Sequence, residues 1–320
     1  MFNISWFATI LGSGGVALAS MLFYPILTLV LTYILTIVFV FLTAIWITKV
    51  VLHWNAVKDE IKHVVIGNFY PLQPISAVIL AILYYKQSIP FGVLFGDVLL
   101  VYGSTLILIM ILYLSYHFFA NNTTELHNIH GGWFIPPVST ILVTDALLLY
   151  KPNVTLFAIS LVYFGIGTML FLFIATILFL RLVNHELPPS ELAPTNFILL
   201  APIGILIVDV QQIFHHAEVL FLSSTPVGIV VSLSLWGFGF WALVVNIMLV
   251  LRYLKMGFPF FLGWWSYVFP TAAFTLGTMS LSSQIRFFKP VALVMYALLI
   301  FIWVVVSFRT IKLLAFDRSL

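Results

Sequence analysis

Three aspartates lie within or close to long apolar stretches of this 320-residue chain: Asp97, Asp145 and Asp209. A carboxylate is costly at membrane depth, and where one occurs there it commonly serves a proton or ion pathway. Asp145 and Asp209 are therefore candidates for coupling transport to a proton gradient. The alternative is a protonated or hydrogen-bonded carboxyl that holds two helices together, and we favour that structural role for Asp97.

Histidine and glutamate recur at i, i+3 spacing in two places. These places contain Glu125, His127 and His130, and then His215, His216 and Glu218. Metal sites need ligands in a tight geometry with supporting hydrogen bonds, whereas both groups fall in predicted loops. We interpret them as solvated polar residues and predict neither a metal site nor a cofactor.

The sequence lacks the motifs that known intramembrane enzymes use for catalysis. Phe95-Gly96-Asp97 approaches the Gly-x-Gly-Asp run of aspartyl membrane proteases, but Leu94 occupies the first glycine position. The chain has no His-Glu-x-x-His run for zinc chemistry and no Gly-x-Ser-x-Gly elbow. We predict that the protein is not an enzyme.

The composition requires a membrane. The chain is 63% hydrophobic and only 7% charged, against about 25% charged residues in a soluble domain. Its mean hydropathy is +1.18. The net charge of +3 is spread over the chain with no basic block, which excludes a nucleic-acid partner. The first apolar run lacks the features of a signal peptide and is predicted to be a transmembrane helix.

A span needs roughly 20 mostly apolar residues, and ten stretches fit. We predict an all-α integral membrane protein with one transmembrane domain over residues 1–320. The predicted spans are 4–23, 27–49, 69–86, 92–118, 133–150, 154–182, 195–213, 226–252, 263–283 and 289–312. The charged segment from His53 to His63 is predicted to be a short interfacial helix.

Basic residues predict the orientation. One side of the predicted topology carries nine of them: Lys49, Lys58, Lys62, Arg181, Arg252, Lys255, Arg309, Lys312 and Arg318. The other side carries four: Lys86, Lys151, Arg286 and Lys289. The richer side is expected to be cytoplasmic, which places both termini there. Most linkers on the other side are short, so consecutive spans are predicted to form five antiparallel hairpins.

Every second span contains a helix breaker, and the breakers recur every 60 to 68 residues. They are Gly14 within the cluster Gly12–Gly15, Pro74, Pro137, Pro202 and Pro270. In a bilayer, freed backbone groups are tolerated only where protein or a water-filled cavity covers them. We therefore predict that five kinked inner helices line a central pore. The alternative is that prolines and glycines are simply common in membrane helices.

The predicted inner helices are rich in small, hydroxyl and aromatic residues and contain almost no charge. A path of this kind suits weakly hydrated anions drawn in by basic residues at its ends, and metal cations would prefer carboxylate or carbonyl ligands. The predicted partners are small inorganic or organic anions and the lipid bilayer.

Three blocks of sequence carry a family resemblance. The first is 181–189 (RLVNHELPP) with 192–195 (LAPT) and 201–204 (APIG), the second is 263–270 (GWWSYVFP), and the third is 133–138 (WFIPPV). Together they resemble the tellurite-resistance/dicarboxylate transporter family. That family includes bacterial TehA proteins, yeast malate permeases, fungal sulfite exporters and plant slow anion channels. The resemblance covers essentially the whole chain.

The resemblance implies ten helices in quasi-fivefold arrangement around a pore, and a homotrimer with one pore in each subunit. It also implies a plug in the pore, for which the matching residue is Phe269, directly before Pro270. The implied function is transport of small anions across the cell membrane, with C4-dicarboxylates such as malate as the leading substrates. The alternatives are a channel for chloride or nitrate and a tellurite or sulfite exporter.

Overall fold

The computed structural model describes residues 2–121, 124–149, 153–221 and 227–316. Within these ranges the chain is helical and contains no strand. The α-helices are α1 (Phe7–Ser20), α2 (Pro25–Leu52), α3 (Trp54–Lys62), α4 (Leu72–Tyr85), α5 (Gly92–Asn121), α6 (Ile135–Leu148), α7 (Val154–Asn184), α8 (Leu200–Phe221), α9 (Val227–Lys255), α10 (Val268–Gln284) and α11 (Phe288–Phe316). Lys151, Arg318 and the predicted span ends at Tyr150 and Pro226 lie outside the described residues.

The all-helical membrane class is confirmed. By length and composition, eight helical stretches of the described residues could each cross a membrane. Ile4–Ser20 is apolar but shorter, and α10 has 17 residues. Helix α3 occupies the segment predicted to form a short helix between two spans. Ten membrane crossings stay a prediction.

Burial separates the long helices into two sets. In the spans that contain α4, α6 and α8, 67% to 94% of the most apolar segment is buried, and nearly all of α1 and α10 is buried too. In α2, α5, α7, α9 and α11 the corresponding share is only 22% to 33%. We call the first set the inner helices and the second set the outer helices.

The inner helices form a closed circuit of contacts. Helix α1 packs against α4, α4 against α6, α6 against α8, α8 against α10, and α10 against α1. Each inner helix also packs against the outer helix that follows it in the chain. The apolar side chains of the outer helices remain exposed on the opposite face, as expected for helices that contact lipid.

The four prolines lie at equivalent positions near the start of inner helices. Pro74, Pro137, Pro202 and Pro270 are each the third residue of their α-helix. Each of these helices follows a 3₁₀ segment: Ile66–Phe69, Gly131–Phe134, Ser190–Leu199 and Leu262–Tyr267. A proline in the first turn sacrifices no intrahelical hydrogen bond. The irregularity is thus a change from 3₁₀- to α-helix, and not a break in mid-helix.

Side-chain hydroxyls and tight turns satisfy the backbone at these junctions. The carbonyl of Tyr70 accepts a hydrogen bond from the backbone N–H of Gln73 at 3.3 Å. Ser139 Oγ donates to the Ile135 carbonyl at 2.7 Å, one turn back along α6. A hydroxyl of this kind can satisfy a carbonyl where no water is present.

The glycine cluster near the N-terminus has another role. Helix α1 runs without interruption through Gly12–Gly15, so the structure shows no break at Gly14. A Cβ atom on residue 12 would meet the Trp265 ring, and one on residue 14 would meet Ile79 at 3.1 Å. The glycines therefore allow α1 to approach α10 and α4 closely.

The predicted end of the seventh span was wrong. Residues after 213 were interpreted as a loop, but α8 continues to Phe221 and carries His215 and His216. The drop in hydropathy marked the end of the apolar segment, whereas a helix ends at a breaker. The next proline in the sequence is Pro226.

Gly204 generates a prediction about packing. A Cβ atom at this position would collide with the backbone of Ala273 on α10, which cannot move aside as a side chain could. We expect Gly204→Ala to lower the stability of the folded protein by about 1–3 kcal/mol, the usual cost of overpacking. The measurement is the midpoint of thermal unfolding in detergent.

The matched control is Gly165→Ala on α7, where nothing lies within 4 Å of the added atom. Because alanine favours helix more than glycine does, this variant should unfold at or above the wild-type midpoint. Equal midpoints for the two variants would contradict the close contact of α8 with α10.

Candidate functional site

A wide cavity lies between the five inner helices and is lined by residues of each of them. Its volume is about 470 Å³, within the range of 300–1,000 Å³ that is usual for ligand sites. Its lining comprises Gly15, Leu18, Met21, Leu22, Ile79, Lys86, Leu142, Asp145, Leu149, Ile205, Val208, Gln212, Phe269, Ala273, Leu276, Met279 and Ser280. Most of this surface is apolar, so its few polar groups determine what it can bind.

Polar groups in the wide cavity are concentrated toward the helix ends. Gln212 Nε2 on α8 donates a hydrogen bond to Asp145 Oδ1 on α6. Lys86, just after the end of α4, attracts the Asp145 carboxyl electrostatically. Ser280 Oγ donates to Gln211 Oε1 at 3.0 Å. The cavity thus combines one exposed ammonium group with hydroxyl and amide groups above apolar walls.

A narrow cavity lies at the N-terminal ends of α1, α4, α6 and α10 and among the 3₁₀ segments that precede the inner helices. Its volume is about 40 Å³. Its lining comprises Ser5, Ala8, Leu11, Phe69, Leu72, Ile75, Ile135, Val138, Ile198, Leu262, Gly263, Trp265, Ser266, Phe269 and Pro270. None of these described lining residues is charged. Along the axis that the inner helices enclose, the wide and partly polar cavity is therefore followed by the narrow and apolar one.

Among the described residues, Phe269 is the one whose side chain lines both cavities. It lies in the first turn of α10 and is 7% exposed. On the facing helix, a Cβ atom at residue 15 would lie 3.4 Å from Cδ2 of this ring and 2.7 Å from Cβ of Ala272. The absence of a side chain at Gly15 therefore makes room for the ring between the two cavities.

The structure separates the aspartates that the sequence grouped. Asp145 lines the wide cavity, whereas Asp209 is fully buried and lines neither cavity. Among the described residues, neither oxygen of Asp209 has a hydrogen-bond partner. Asp97 accepts a hydrogen bond from Tyr85 Oη at 3.0 Å, which joins α5 to α4 as expected for a structural carboxyl.

The breakers themselves are placed differently from the prediction. Gly14, Pro74, Pro137 and Pro202 line neither cavity, and Pro270 lines only the narrow one. Neighbouring residues take their place: Gly15, Ile75, Val138 and Ile205. A side chain on a helix points in one direction only. On α4 and α6, the residue directly after the proline, Ile75 or Val138, faces the narrow cavity.

The prediction that both histidine groups are solvated is correct only in part. His127 Nδ1 lies 3.1 Å from Glu125 Oε2, and both side chains are exposed. His130 and His216 are buried at 1% and 7% exposure. His130 precedes a 3₁₀ segment that packs against Ser190–Leu199, and His216 lies on the extension of α8. Both placements depend on tertiary contacts.

Sequence reasoning missed Lys86 and Gln212 as cavity residues. A signal was present for Lys86, because Ile75, Ile79 and Lys86 recur on one helical face at i, i+4 and i+11. Gln212 carried no such signal, since it lay at the edge of a predicted loop. Its role follows from the observed length of α8.

Comparisons with known proteins agree with this architecture. A profile of the family described as voltage-dependent anion channel matches residues 1–311. An uncharacterized transporter of Methanocaldococcus jannaschii is 30% identical over 330 residues, which is 97% of this chain and 94% of that protein. A second uncharacterized transporter of the same organism is 28% identical over 324 residues, or 97% of this chain and 92% of that protein.

A sulfite efflux pump of Arthroderma otae is 23% identical over 181 residues, which is 51% of this chain and 48% of that protein. The family profile covers nearly the whole chain, and it corresponds to the family that the three sequence blocks resemble. The chain therefore belongs to the voltage-dependent anion channel family, that is, to the tellurite-resistance/dicarboxylate transporter family of membrane proteins.

Proposed function

We propose that this protein moves small anions through a pore at the centre of ten membrane spans, and that Phe269 closes the pore. The observation that carries the proposal is that, of the residues the structure describes, this ring alone lines both the wide and the narrow cavity. The wide cavity is lined by all five inner helices, and the narrow one by α1, α4, α6, α10 and the 3₁₀ segment before α8. A change of rotamer at one side chain would then join two spaces that are separate in the closed form.

The closed circuit of inner helices supports a quasi-fivefold arrangement of hairpins. Four prolines at the same helical position, each after a 3₁₀ segment, are what repeated copies of one unit would produce, and α1 also follows a 3₁₀ segment, Ile4–Trp6, although it has no proline. All five copies contribute to the wide cavity. In this arrangement the pore is the axis on which equivalent faces converge.

The charges of the wide cavity favour anions. Lys86 is exposed at its rim, where an ammonium raises the local concentration of anions. Asp145, the only carboxylate among the described lining residues, is engaged by Gln212. Asp145 and Asp209 are the proposed proton-coupling groups. Asp145 meets the cavity directly, and Asp209 is close enough to interact with it electrostatically.

For the substrate we propose C4-dicarboxylates such as malate. The wide cavity has room for a dicarboxylate, and its hydroxyl and amide groups can donate hydrogen bonds to carboxylate oxygens. Sulfite export is the second candidate, and the similarity to a sulfite efflux pump favours it. A channel for chloride or nitrate is the third.

We further propose a homotrimer in the cell membrane with both termini in the cytoplasm. The homotrimer rests on the family resemblance, and the orientation rests on the distribution of lysine and arginine.

Removing the ring at position 269 tests the gate. We expect Phe269→Ala to raise anion conductance in reconstituted bilayers severalfold, because the wide and narrow cavities would then be continuous. Phe171→Ala is the control, since Phe171 is a buried ring on α7 that lines neither cavity. Unchanged current in a folded Phe269→Ala protein would rule out this ring as the gate.

A flux panel in liposomes tests the substrate. We expect saturable uptake of malate and succinate, with smaller fluxes of chloride, nitrate and sulfite, measured with and without a pH gradient. If sulfite is the only anion taken up faster than malate, the exporter is favoured. A chloride or nitrate current that does not saturate would favour the channel. No flux of any of these anions would refute anion transport.

Neutral replacements test proton coupling. We expect Asp145→Asn and Asp209→Asn to abolish uptake driven by a pH gradient and to leave anion exchange intact, because a side-chain amide does not take up or release a proton near neutral pH. Asp97→Asn is the control, since its carboxyl bonds Tyr85 between α4 and α5. Wild-type pH dependence in both test variants would remove these aspartates from the mechanism.

A further inference from the structure

An arginine without a counter-charge is buried at the end of an outer helix. Arg181 lies in the last turn of α7 and is 4% exposed. Its Nε and Nη1 atoms have no hydrogen-bond partner, and it forms no ion pair with any described residue. A guanidinium stays charged in proteins, and a buried charge without a partner is strongly destabilising. Something must therefore compensate this charge.

Three further polar side chains from the same end of the molecule are buried without full partners. They are His130, with Nε2 unpaired, Asn196, with both amide atoms unpaired, and Tyr267, with its hydroxyl unpaired among the described residues. Their exposures are 1%, 4% and 6%. Native structures leave few buried polar groups unpaired, so four such residues in one region point to a missing common partner.

These side chains belong to elements that pack together. The 3₁₀ segment Gly131–Phe134 contacts both α7 and Ser190–Leu199, and the latter contacts Leu262–Tyr267. A Cβ atom on Gly131 would lie 2.7 Å from the backbone nitrogen of Asn196. Arg181 interacts electrostatically with His130, and the Tyr267 ring lies against Phe197 at 5.2 Å.

The unpaired atoms are mainly donors. His130 Nδ1 accepts the N–H of Gly132 at 3.0 Å, so in the neutral ring the proton is on Nε2. Burial and the Arg181 charge lower the pKa of His130 to about 4, which keeps the ring neutral at pH 7. Guanidinium, imidazole N–H, amide NH₂ and phenol together offer positive charge and several donors. The nearby carboxylates of Glu186 and Glu191 are exposed and form no ion pair with Arg181.

We propose that Arg181, His130 and Asn196 bind one oxyanion group, which holds α7 to the 3₁₀ segments at this end of the protein. The planar guanidinium presents paired donors that match oxyanions such as sulfate, phosphate or bicarbonate. None of the three residues lines the wide or the narrow cavity. The site is therefore separate from the proposed transport path and does not depend on the Phe269 gate.

The site is coupled to the narrow cavity through its neighbours. The Phe69 ring lines that cavity and stacks on His130 with centroids 6.1 Å apart. Ile198 lines it two residues after Asn196. Occupancy at Arg181 thus fixes segments that form the narrow end of the path, which gives the bound anion a stabilising role distinct from transport.

The test measures anions in the purified protein and its unfolding midpoint. Sulfate, phosphate and bicarbonate are titrated at constant ionic strength against gluconate, and ion chromatography and lipid analysis of the unfolded protein report any retained anion or phospholipid. We expect either a saturable rise of several degrees in the midpoint or one retained oxyanion per chain. A retained phospholipid would identify a headgroup phosphate as the source, and a retained inorganic ion a free anion.

Two variants decide the residue assignment. Arg181→Gln should lose both the saturable shift and the retained oxyanion, whereas Arg252→Gln, which changes an exposed arginine at the end of α9, should keep them. Asn196→Asp supplies a carboxylate to Arg181, so it should raise the midpoint in gluconate and abolish the response to added anions. Asn246→Asp, at a buried amide that donates to the Ala242 carbonyl, should lower the midpoint and keep the response.

The proposal is overturned if the wild type shows neither a saturable shift nor a retained oxyanion, or if Arg181→Gln matches the wild type in both. It is also overturned if Asn196→Asp behaves as Asn246→Asp does. Because Asn196→Asp retains Arg181, a failure of Arg181→Gln to fold leaves the proposal open to refutation. Anion flux plays no part in these outcomes, so they are independent of the proposed function.

Discussion

Every backbone carbonyl and N–H within a bilayer needs a partner from the protein, and this requirement explains where the chain becomes irregular. The prolines of the inner helices occupy the third helical residue, where a missing N–H costs no hydrogen bond. The turn before each is 3₁₀, so the carbonyl of Tyr70 finds a donor three residues on. Irregular backbone is thus possible in the interior because other inner segments cover it.

Close packing of the inner helices depends on glycines at the positions where two helices meet. Gly14 and Gly15 bring α1 against α4 and α10, and Gly204 brings α8 against the α10 backbone. Small residues allow such contacts without a hydrophobic driving force from water. Two cavities remain between the closely packed inner helices, and Phe269 separates them.

Polar groups follow a clear division between the two ends. Lys86 and Asp145 both line the wide cavity, where Gln212 donates a hydrogen bond to the Asp145 carboxyl. The described lining of the narrow cavity is uncharged, and the cation Arg181 is buried near His130, whose ring stacks on Phe69 of that lining. A charge in a low-dielectric region requires a partner: Asp145 has one in Gln212, and Arg181 would have one in the proposed oxyanion.

The sequence by itself determined the membrane class, the alternation of inner and outer helices, and the family. Composition and the spacing of Pro74, Pro137, Pro202 and Pro270 sufficed for the first two, because hydropathy and helix breakers act locally, and the family followed from the three sequence blocks. Tertiary structure alone decided that α8 extends to Phe221, that Asp209 and His130 are buried, and that Gly15 lines the wide cavity in place of Gly14. These features depend on which face of one helix meets another, and contacts between residues far apart in the chain leave no local signal.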